Sequence, residues 1–246
     1  FTPYPLCCPS RASLWTSVYP HRHHVIGNWL AINPEFRNGG LVQLFREAGY
    51  ETIYTGKWHV PGTTPEKMGF AKWSAIPAVL NGCDRGRYIE EYREYVKGVG
   101  YKLKEGHIEN LTENDLTKYI KNPNVHCGTA DIKLEHYLEN WQTNKFLEQM
   151  KECDESKPFF AVCSYNAPHF PMIVPEPYDR IVPPELVILP LNFCTGIEGK
   201  PREVLESKYY QHTKDLDESE WRRLIAHYWR FCALVDNQVG KIIEWL

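Results

Sequence analysis

The sequence predicts an α/β fold in which a mixed, largely parallel sheet is sandwiched by helices. Segments with apolar residues at helical spacing alternate with short apolar runs along the chain, an order typical of a parallel sheet covered by helices. With 246 residues, 43% of them hydrophobic, the chain is long enough to bury the core of one large domain.

The first helix is predicted just after a pair of cysteines. Prolines up to Pro9 favour an extended, irregular entry, and Ser10 is a candidate cap for a helix over residues 11–17. Cys7 is then expected immediately before a helix N-terminus.

A helix followed by a strand comes next. Residues 40–48 carry apolar side chains at helical spacing and stop at Gly49, and residues 50–55 are strand-like. The string Gly56-Lys57-Trp58-His59 would close this strand. Alternation along a strand would then project Lys57 and His59 from the same face.

The middle of the chain predicts loops. Residues 62–128 are rich in glycine, tyrosine and charge, and only residues 88–96 show a helical pattern. We expect an insertion or substrate-facing loops here.

The second half of the chain predicts two helices around one strand. A helical pattern over 131–153 precedes an apolar strand over 159–163, which ends at Asn166-Ala167-Pro168-His169. The proline-rich stretch 171–201 is expected to be surface loop. Residues 218–246 predict a long helix with a break near Asp236.

Composition excludes several classes of protein. The 28 basic and 31 acidic residues give a net charge of -3 without a basic stripe, so nucleic acid is not an expected partner. No apolar run approaches the roughly 20 residues that span a bilayer, so no membrane span is expected. The N-terminus lacks a signal-peptide pattern; the compartment is periplasmic or extracellular if a leader has been removed, and cytoplasmic otherwise.

Five residues near the N-terminus combine a nucleophile, a helix start and a cation. In Cys7-Cys8-Pro9-Ser10-Arg11, the N–H groups and dipole of the helix would favour a tetrahedral oxyanion, and Arg11 could offer a bidentate fork to it. The alternative is a buried cysteine beside a capped helix. A thiol nucleophile of the cysteine-phosphatase type is excluded by spacing, since the sixth residue after Cys7 or Cys8 is not arginine.

This string and its continuation resemble the signature of the sulfatase family, whose members depend on formylglycine and belong to the alkaline-phosphatase-like superfamily. In that family the first cysteine of C-x-P-S-R becomes formylglycine, and Cys7 fits because Pro9 and Arg11 stand at the required offsets. Cys8 would place Ser10 where the proline belongs. The resemblance continues through Ala12-Ser13-Leu14-Trp15-Thr16-Ser17 and Tyr19-Pro20-His21-Arg22, and departs at Val18, where the family usually has glycine.

The resemblance also implies roles for three later residues. The family pattern contains Gly56-Lys57-Trp58-His59 after the signature, and Asn166-Ala167-Pro168-His169 resembles its P-H motif. Arg11 and Lys57 would stabilise the nucleophile and the anionic transition state. His169 would protonate the leaving oxygen, and His59 would assist expulsion of sulfate from the modified residue.

A divalent metal, usually calcium, is implied as a cofactor, together with the formylglycine modification of Cys7. Formylglycine at position 7 would be one metal ligand, and the others come in the family from an Asp-Asp pair before the signature and from an S-D-H-G or D-N segment near the end. Both segments fall outside residues 1–246. We therefore expect a fragment that holds most of the N-terminal catalytic domain, without its first strand and C-terminal part, and that is inactive alone.

The resulting hypothesis is hydrolysis of sulfate esters through formylglycine at position 7. A phosphonate or phosphate monoester hydrolase with the same apparatus is one alternative, and a non-catalytic sulfatase-like remnant is another. The expected partners are a sulfated small molecule or glycan and the maturation enzyme that generates formylglycine. The close histidines His21, His23 and His24 are not expected to bind metal, because their spacing matches no helical ligand pair.

Overall fold

The computed structural model describes residues 1–76, 90–101, 103–104, 107–108, 127–170 and 172–246. These residues form two compact units along the chain. The first comprises Phe1–His107, Leu138–Asn166 and Trp245–Leu246, and the second comprises Ile108–Tyr137 and Ala167–Glu244.

Groups of helices and groups of strands follow one another along the described chain. The helices are α1 (Cys7–Thr16), α2 (Pro20–His23), α3 (Leu41–Glu47), α4 (Glu90–Gly98), α5 (Leu138–Lys151), α6 (Arg202–Glu206), α7 (Lys208–Thr213) and α8 (Glu218–Trp245). The strands are β1 (Glu51–Lys57), β2 (Lys72–Ile76), β3 (Leu103–Lys104), β4 (His107–Ile108), β5 (Cys127–Ala130), β6 (Phe159–Ser164) and β7 (Met172–Pro175). Short 3-10 turns lie at Pro34–Phe36, Leu134–His136, Tyr178–Arg180 and Pro184–Leu186.

The first unit is built on a parallel sheet of order β2-β1-β6. The register places Tyr54 opposite Val162 and Gly56 opposite Ser164. The carboxyl ends of β1 and β6 therefore meet at the same edge, where ligands bind in open α/β sheets. The parallel sheet confirms the predicted fold class.

Helices cover both faces of this sheet. Successive residues of a strand point to opposite faces. Tyr54 packs against Trp15 of α1 with ring centroids 5.9 Å apart, whereas the neighbouring Thr55 hydrogen-bonds to Gln149 of α5. The predicted helix sandwich is therefore present in this unit, with α1 on one face and α5 on the other.

Aromatic side chains form the core beneath α1. The rings of Trp15 and Trp58 stack at 5.8 Å, and Phe70 meets Tyr54 at 5.0 Å and Trp15 at 5.5 Å. All four side chains are buried. Fully burying one such ring stabilises the fold by roughly 1.5–3 kcal/mol, so this cluster fixes α1 firmly against β1.

The second unit contains the parallel pair β5-β7 and most of α8. Cys127 of β5 and Leu224 of α8 are buried together, and Met172 and Trp221 pack against them. Arg230 of α8 donates through Nε and Nη2 to the carbonyl of Val182 at 3.1 and 2.7 Å.

Two predicted loops contain strands. The segment 62–128 contains β2, β3, β4 and the start of β5, and the segment 171–201 contains β7. Residues 77–89, 102, 105–106, 109–126 and 171 fall outside the described residues. Each of these strands is a short edge strand in its described sheet, and pairing with a neighbour decides its conformation more than its own sequence does. Pro175 is tolerated because it ends β7.

Two predicted helices differ from those observed. The helix expected over 131–153 is a 3-10 turn followed by α5 from Leu138. The break expected near Asp236 is absent, since α8 runs unbroken for 28 residues. A single aspartate costs a helix interior well under about 1 kcal/mol, which apolar packing of a long helix easily outweighs.

None of the described helices is both long enough and apolar enough to cross a membrane. None of the described cysteines forms a disulfide, and Cys83 lies outside the described residues.

Gly56 gives a sharp test of this architecture. Its φ is +107°, and a Cβ there would lie 2.2 Å from the carbonyl oxygen of Ser164 and 2.4 Å from Nε2 of Gln142. We expect Gly56→Ala to lower the free energy of unfolding by about 2–5 kcal/mol, from backbone strain plus overpacking. Urea unfolding would measure this loss.

Gly49→Ala is the matched control. Gly49 also has positive φ, +87°, but a Cβ there would meet nothing within 4 Å. The control should lose only the strain of a left-handed residue, about 1–2 kcal/mol. Equal losses in the two variants would show that β1, β6 and α5 do not approach one another as closely as described.

Candidate active site

Cys7 is the first residue of α1. The helix was expected to begin near Arg11 with Ser10 as its cap, and that prediction is wrong. Leu6, in an extended conformation, precedes the helix without a side-chain cap, and Ser10 N–H already donates to the Leu6 carbonyl at 2.9 Å. Pro9 lacks an N–H, and the first turn tolerates this loss. Cys7 thus lies within the positive end of the helix dipole.

The start of α1 is held from outside by Asn28. Its Oδ1 accepts a hydrogen bond from Cys8 N–H at 3.0 Å, which replaces the missing cap of the helix. Cys8 is fully buried in the aromatic core, whereas Cys7 is half-buried. The two adjacent cysteines therefore have different surroundings, and Cys7 is the more accessible one.

Arg11 lies one helical turn after Cys7 and contacts the edge of the sheet. Its Nη1 donates to the Lys57 carbonyl at 2.7 Å and to Ser164 Oγ at 3.0 Å, with a longer contact of 3.4 Å to the Tyr54 hydroxyl. The guanidinium is thereby fixed to the carboxyl ends of both β1 and β6.

Tyr54 and Ser164 support the same carbonyl. The Tyr54 hydroxyl donates to the Lys57 oxygen, and Ser164 Oγ also donates to it at 3.1 Å. Burial raises the pKa of Tyr54, partly offset by the nearby Arg11 charge. Tyr54 therefore remains a neutral phenol that can donate at physiological pH.

Lys57 ends β1, and His59 follows beyond the strand. Lys57 is half-buried and His59 is buried. His59 has a φ of +55°, uncommon for a residue other than glycine. The prediction that strand alternation would place both side chains on one face is wrong in its premise, because alternation applies only within the extended strand.

Trp58 fixes the turn between these two residues. Its indole is buried against Trp15, and its Nε1 donates to the Thr63 carbonyl at 3.0 Å. Left-handed backbone at a non-glycine residue costs about 1–3 kcal/mol. The buried and hydrogen-bonded Trp58 side chain helps to offset that cost at His59.

His169 belongs to the second unit and is half-buried. Its Nδ1 lies 2.6 Å from the Phe170 carbonyl oxygen. A carbonyl can only accept, so Nδ1 carries a hydrogen. The other four predicted site residues, Cys7, Arg11, Lys57 and His59, all lie in the first unit.

Sequence reasoning missed three residues of this site: Asn28, Tyr54 and Ser164. Ser164 could have been found from the sequence, because a polar residue at the carboxyl end of a predicted parallel strand is a candidate site residue. Nothing in the pattern around Asn28 indicates that its side chain reaches α1. Tyr54 was included in the strand, but its hydroxyl contact depends on the turn after Lys57.

No group of three or more His, Cys, Asp or Glu side chains within the described residues could hold a metal ion. His23 is buried and uses both ring nitrogens: Nδ1 accepts from Val25 N–H at 3.1 Å, and Nε2 lies 2.9 Å from Ser13 Oγ. Burial lowers the pKa of His23. The described residues alone do not fit the implied calcium.

Comparison with known proteins decides the family. The model of the Sulfatase family matches residues 1–246. The chain belongs to the sulfatase family. The predicted resemblance is thus confirmed over the whole chain.

Curated relatives of this sulfatase chain are longer than it is. An ulvan-active sulfatase from Formosa agariphila is 30% identical over 223 residues, which cover 87% of this chain and 36% of the relative. The N-acetylglucosamine-6-sulfatase of Capra hircus is 24% identical and matches 99% of this chain and 40% of its own length. The chain therefore spans well under half of either relative.

A solved structure supports the fold. The phosphonate monoester hydrolase of Agrobacterium radiobacter matches 99% of the sulfatase chain and 50% of its own, with a TM-score of 0.71 and 19% identity. At this identity the likeness concerns the fold alone.

Two substitutions of Asn28 should affect the stability of the fold and the binding of an anion differently. Asn28→Ala removes the acceptor for Cys8 N–H and should lower the free energy of unfolding by about 0.5–2 kcal/mol. Asn28→Asp keeps an acceptor and places a negative charge at the helix N-terminus, so its stability should be preserved or raised.

The aspartate variant should nevertheless bind inorganic sulfate several-fold more weakly, because its carboxylate repels an anion beside Cys7. Thermal unfolding and calorimetric titration with sodium sulfate would measure the two effects. Undiminished sulfate affinity in Asn28→Asp would place the anion site away from the start of α1.

Proposed function

We propose that the protein containing this chain hydrolyses sulfate esters, with Cys7 converted to formylglycine as its nucleophile. The observation that carries the proposal is the attachment of Arg11 to the Lys57 carbonyl at 2.7 Å. It joins the helix that begins at Cys7 to the strand end that presents Lys57. The helix that begins with the nucleophile precursor and the strand that ends with Lys57 are thus joined through Arg11 within the first unit.

This edge suits a tetrahedral anion. Cys7 lies at a helix N-terminus, where dipole and N–H groups favour negative charge. Within the described residues every Arg11 hydrogen bond is made by Nη1. Nε and Nη2 therefore remain for two oxygens of a sulfate group, while Lys57 adds a compact positive charge.

In the proposed first step, one hydroxyl of hydrated formylglycine at position 7 attacks the sulfur. The new O–S bond forms as the S–O bond to the ester oxygen breaks. The leaving oxygen takes a proton from Nε2 of His169, whose ring passes from imidazolium to neutral imidazole, and the attacking hydroxyl releases its proton to water, so protons balance over the step. Arg11 and Lys57 stabilise the charge that develops on the sulfate oxygens.

In the second step, the remaining hydroxyl of the modified residue loses its proton to His59. The carbon–oxygen double bond of the aldehyde re-forms, the bond from that carbon to the sulfate oxygen breaks, and inorganic sulfate leaves. Addition of water to the aldehyde regenerates the diol. A divalent metal, which the family implies, would add polarisation of the sulfate oxygens if ligands outside the described residues held it.

The proposed substrate is a sulfate monoester of a small molecule or a glycan. The names of the two curated relatives, one ulvan-active and one an N-acetylglucosamine-6-sulfatase, support a glycan. The proposal also requires a maturation enzyme that oxidises Cys7, since the unmodified thiol has no second hydroxyl for the elimination step.

The modification of Cys7 can be tested directly. Protein produced from the full-length gene with its maturation system should yield a peptide spanning Phe1 to Arg22 in which residue 7 has the mass of formylglycine or its hydrate. Intact-peptide mass spectrometry would measure this, and Cys8 in the same peptide is an internal control that should stay a cysteine. Unmodified Cys7 beside a competent maturation enzyme would refute the nucleophile assignment.

Turnover of matched esters tests the reaction class. The full-length protein should hydrolyse 4-nitrophenyl sulfate with a higher kcat/KM than 4-nitrophenyl phosphate. Arg11→Lys keeps the positive charge but loses the planar pair of N–H donors. It should therefore lower kcat/KM for 4-nitrophenyl sulfate by about 100-fold. A higher kcat/KM for the phosphate ester would indicate that the same residues hydrolyse phosphate esters instead. If Arg11→Lys lowered neither activity, Arg11 would not belong to the site.

A further inference from the structure

Ser164 occupies a position between the Arg11 side chain and the Lys57 main chain. Its Oγ lies 3.0 Å from Arg11 Nη1 and 3.1 Å from the Lys57 carbonyl oxygen. A guanidinium can only donate and a carbonyl can only accept. Between these two partners, the Ser164 hydroxyl proton points to the Lys57 oxygen, and a lone pair of Oγ receives the Arg11 N–H.

The two shorter contacts of Arg11 Nη1 account for both of its hydrogens, since its contact with the Tyr54 hydroxyl is longer, at 3.4 Å. One goes to the Lys57 carbonyl at 2.7 Å and the other to Ser164 Oγ. Two acceptors on one nitrogen fix the plane of the guanidinium as well as its position. The edge formed by Nε–H and Nη2–H, which matches two oxygens of a tetrahedral anion, is held in a single orientation.

We propose that Ser164 is a positioning residue, which orients the Arg11 fork for the bound anion without touching it. This inference rests on the proposed function, because it assumes that the fork faces a sulfate group. Ser164 lies outside the signature and outside the two motifs that contain Lys57 and His169.

The surroundings of Ser164 separate this role from a purely structural one. If the Ser164 hydroxyl is removed, the Lys57 carbonyl still accepts from Arg11 and from Tyr54, so no buried acceptor is left unsatisfied. Arg11 Nη1, by contrast, loses one of its two close acceptors. The effect on anion binding should therefore exceed the effect on stability.

The matched pair Ser164→Thr and Ser164→Val tests this proposal. Threonine keeps the hydroxyl, valine has the same shape without it, and both are accepted at the end of a strand. In the full-length matured protein, Ser164→Val should bind inorganic sulfate about tenfold more weakly than Ser164→Thr, because a hydrogen bond to a charged group is lost. The kcat/KM for 4-nitrophenyl sulfate should fall by at least the same factor, with closely similar melting temperatures.

Repeating the pair in an Arg11→Lys background shows whether Ser164 acts through Arg11. Lysine cannot present a planar fork, so the tenfold difference between valine and threonine should disappear there. A difference that persists, or one that never appears with Arg11 intact, would overturn the proposal.

Sulfate binding and ester hydrolysis are measured separately, so the role of Ser164 and the proposed reaction can fail independently. If the full-length protein binds inorganic sulfate but cleaves no sulfate ester, the proposed function fails, while the binding difference between valine and threonine still decides the role of Ser164. If the protein binds no sulfate at all, Arg11 holds no such anion and the inference about Ser164 fails as well.

Discussion

The site depends on one backbone carbonyl, that of Lys57. Arg11, Tyr54 and Ser164 all donate to it, so a helix and two strands meet at a single oxygen. A carbonyl has two lone pairs, and three donors therefore compete for the same small region. This convergence ties the end of β1, which carries Lys57, to α1 and to β6.

The sequence around Lys57 is explained by the same constraint. Gly56 must lack a side chain because β6 and α5 both approach it within 3 Å of where a Cβ would stand. Trp58 must be large and apolar because its ring completes the aromatic core against Trp15. Lys57 and His59, for which catalytic roles are proposed, are thus separated and preceded by residues that packing requires. Two positions of this motif are assigned to the proposed reaction, and the other two are required by the fold.

The sequence predicts the parallel sheet, α3 with β1, and β6 well, because these elements have strong local patterns. It predicts the start of α1 badly, because Asn28, about twenty residues away, supplies the cap that Ser10 was expected to provide. β2 is missed for a related reason, since its partner strand determines it. The site residues in short motifs are found by resemblance, whereas Tyr54 and Ser164 become visible only when the ends of β1 and β6 lie side by side.

An arginine at position 11 suits this site better than a lysine for a geometric reason. One nitrogen of the guanidinium satisfies Lys57 and Ser164, and the remaining N–H groups lie on another edge of the same rigid plane. Structural contact and anion recognition therefore do not compete for the same hydrogens. An ammonium would have to divide three donors from one atom between the strand ends and the substrate. The planar fork lets Arg11 attach α1 to the sheet and still leaves N–H groups for the proposed anion.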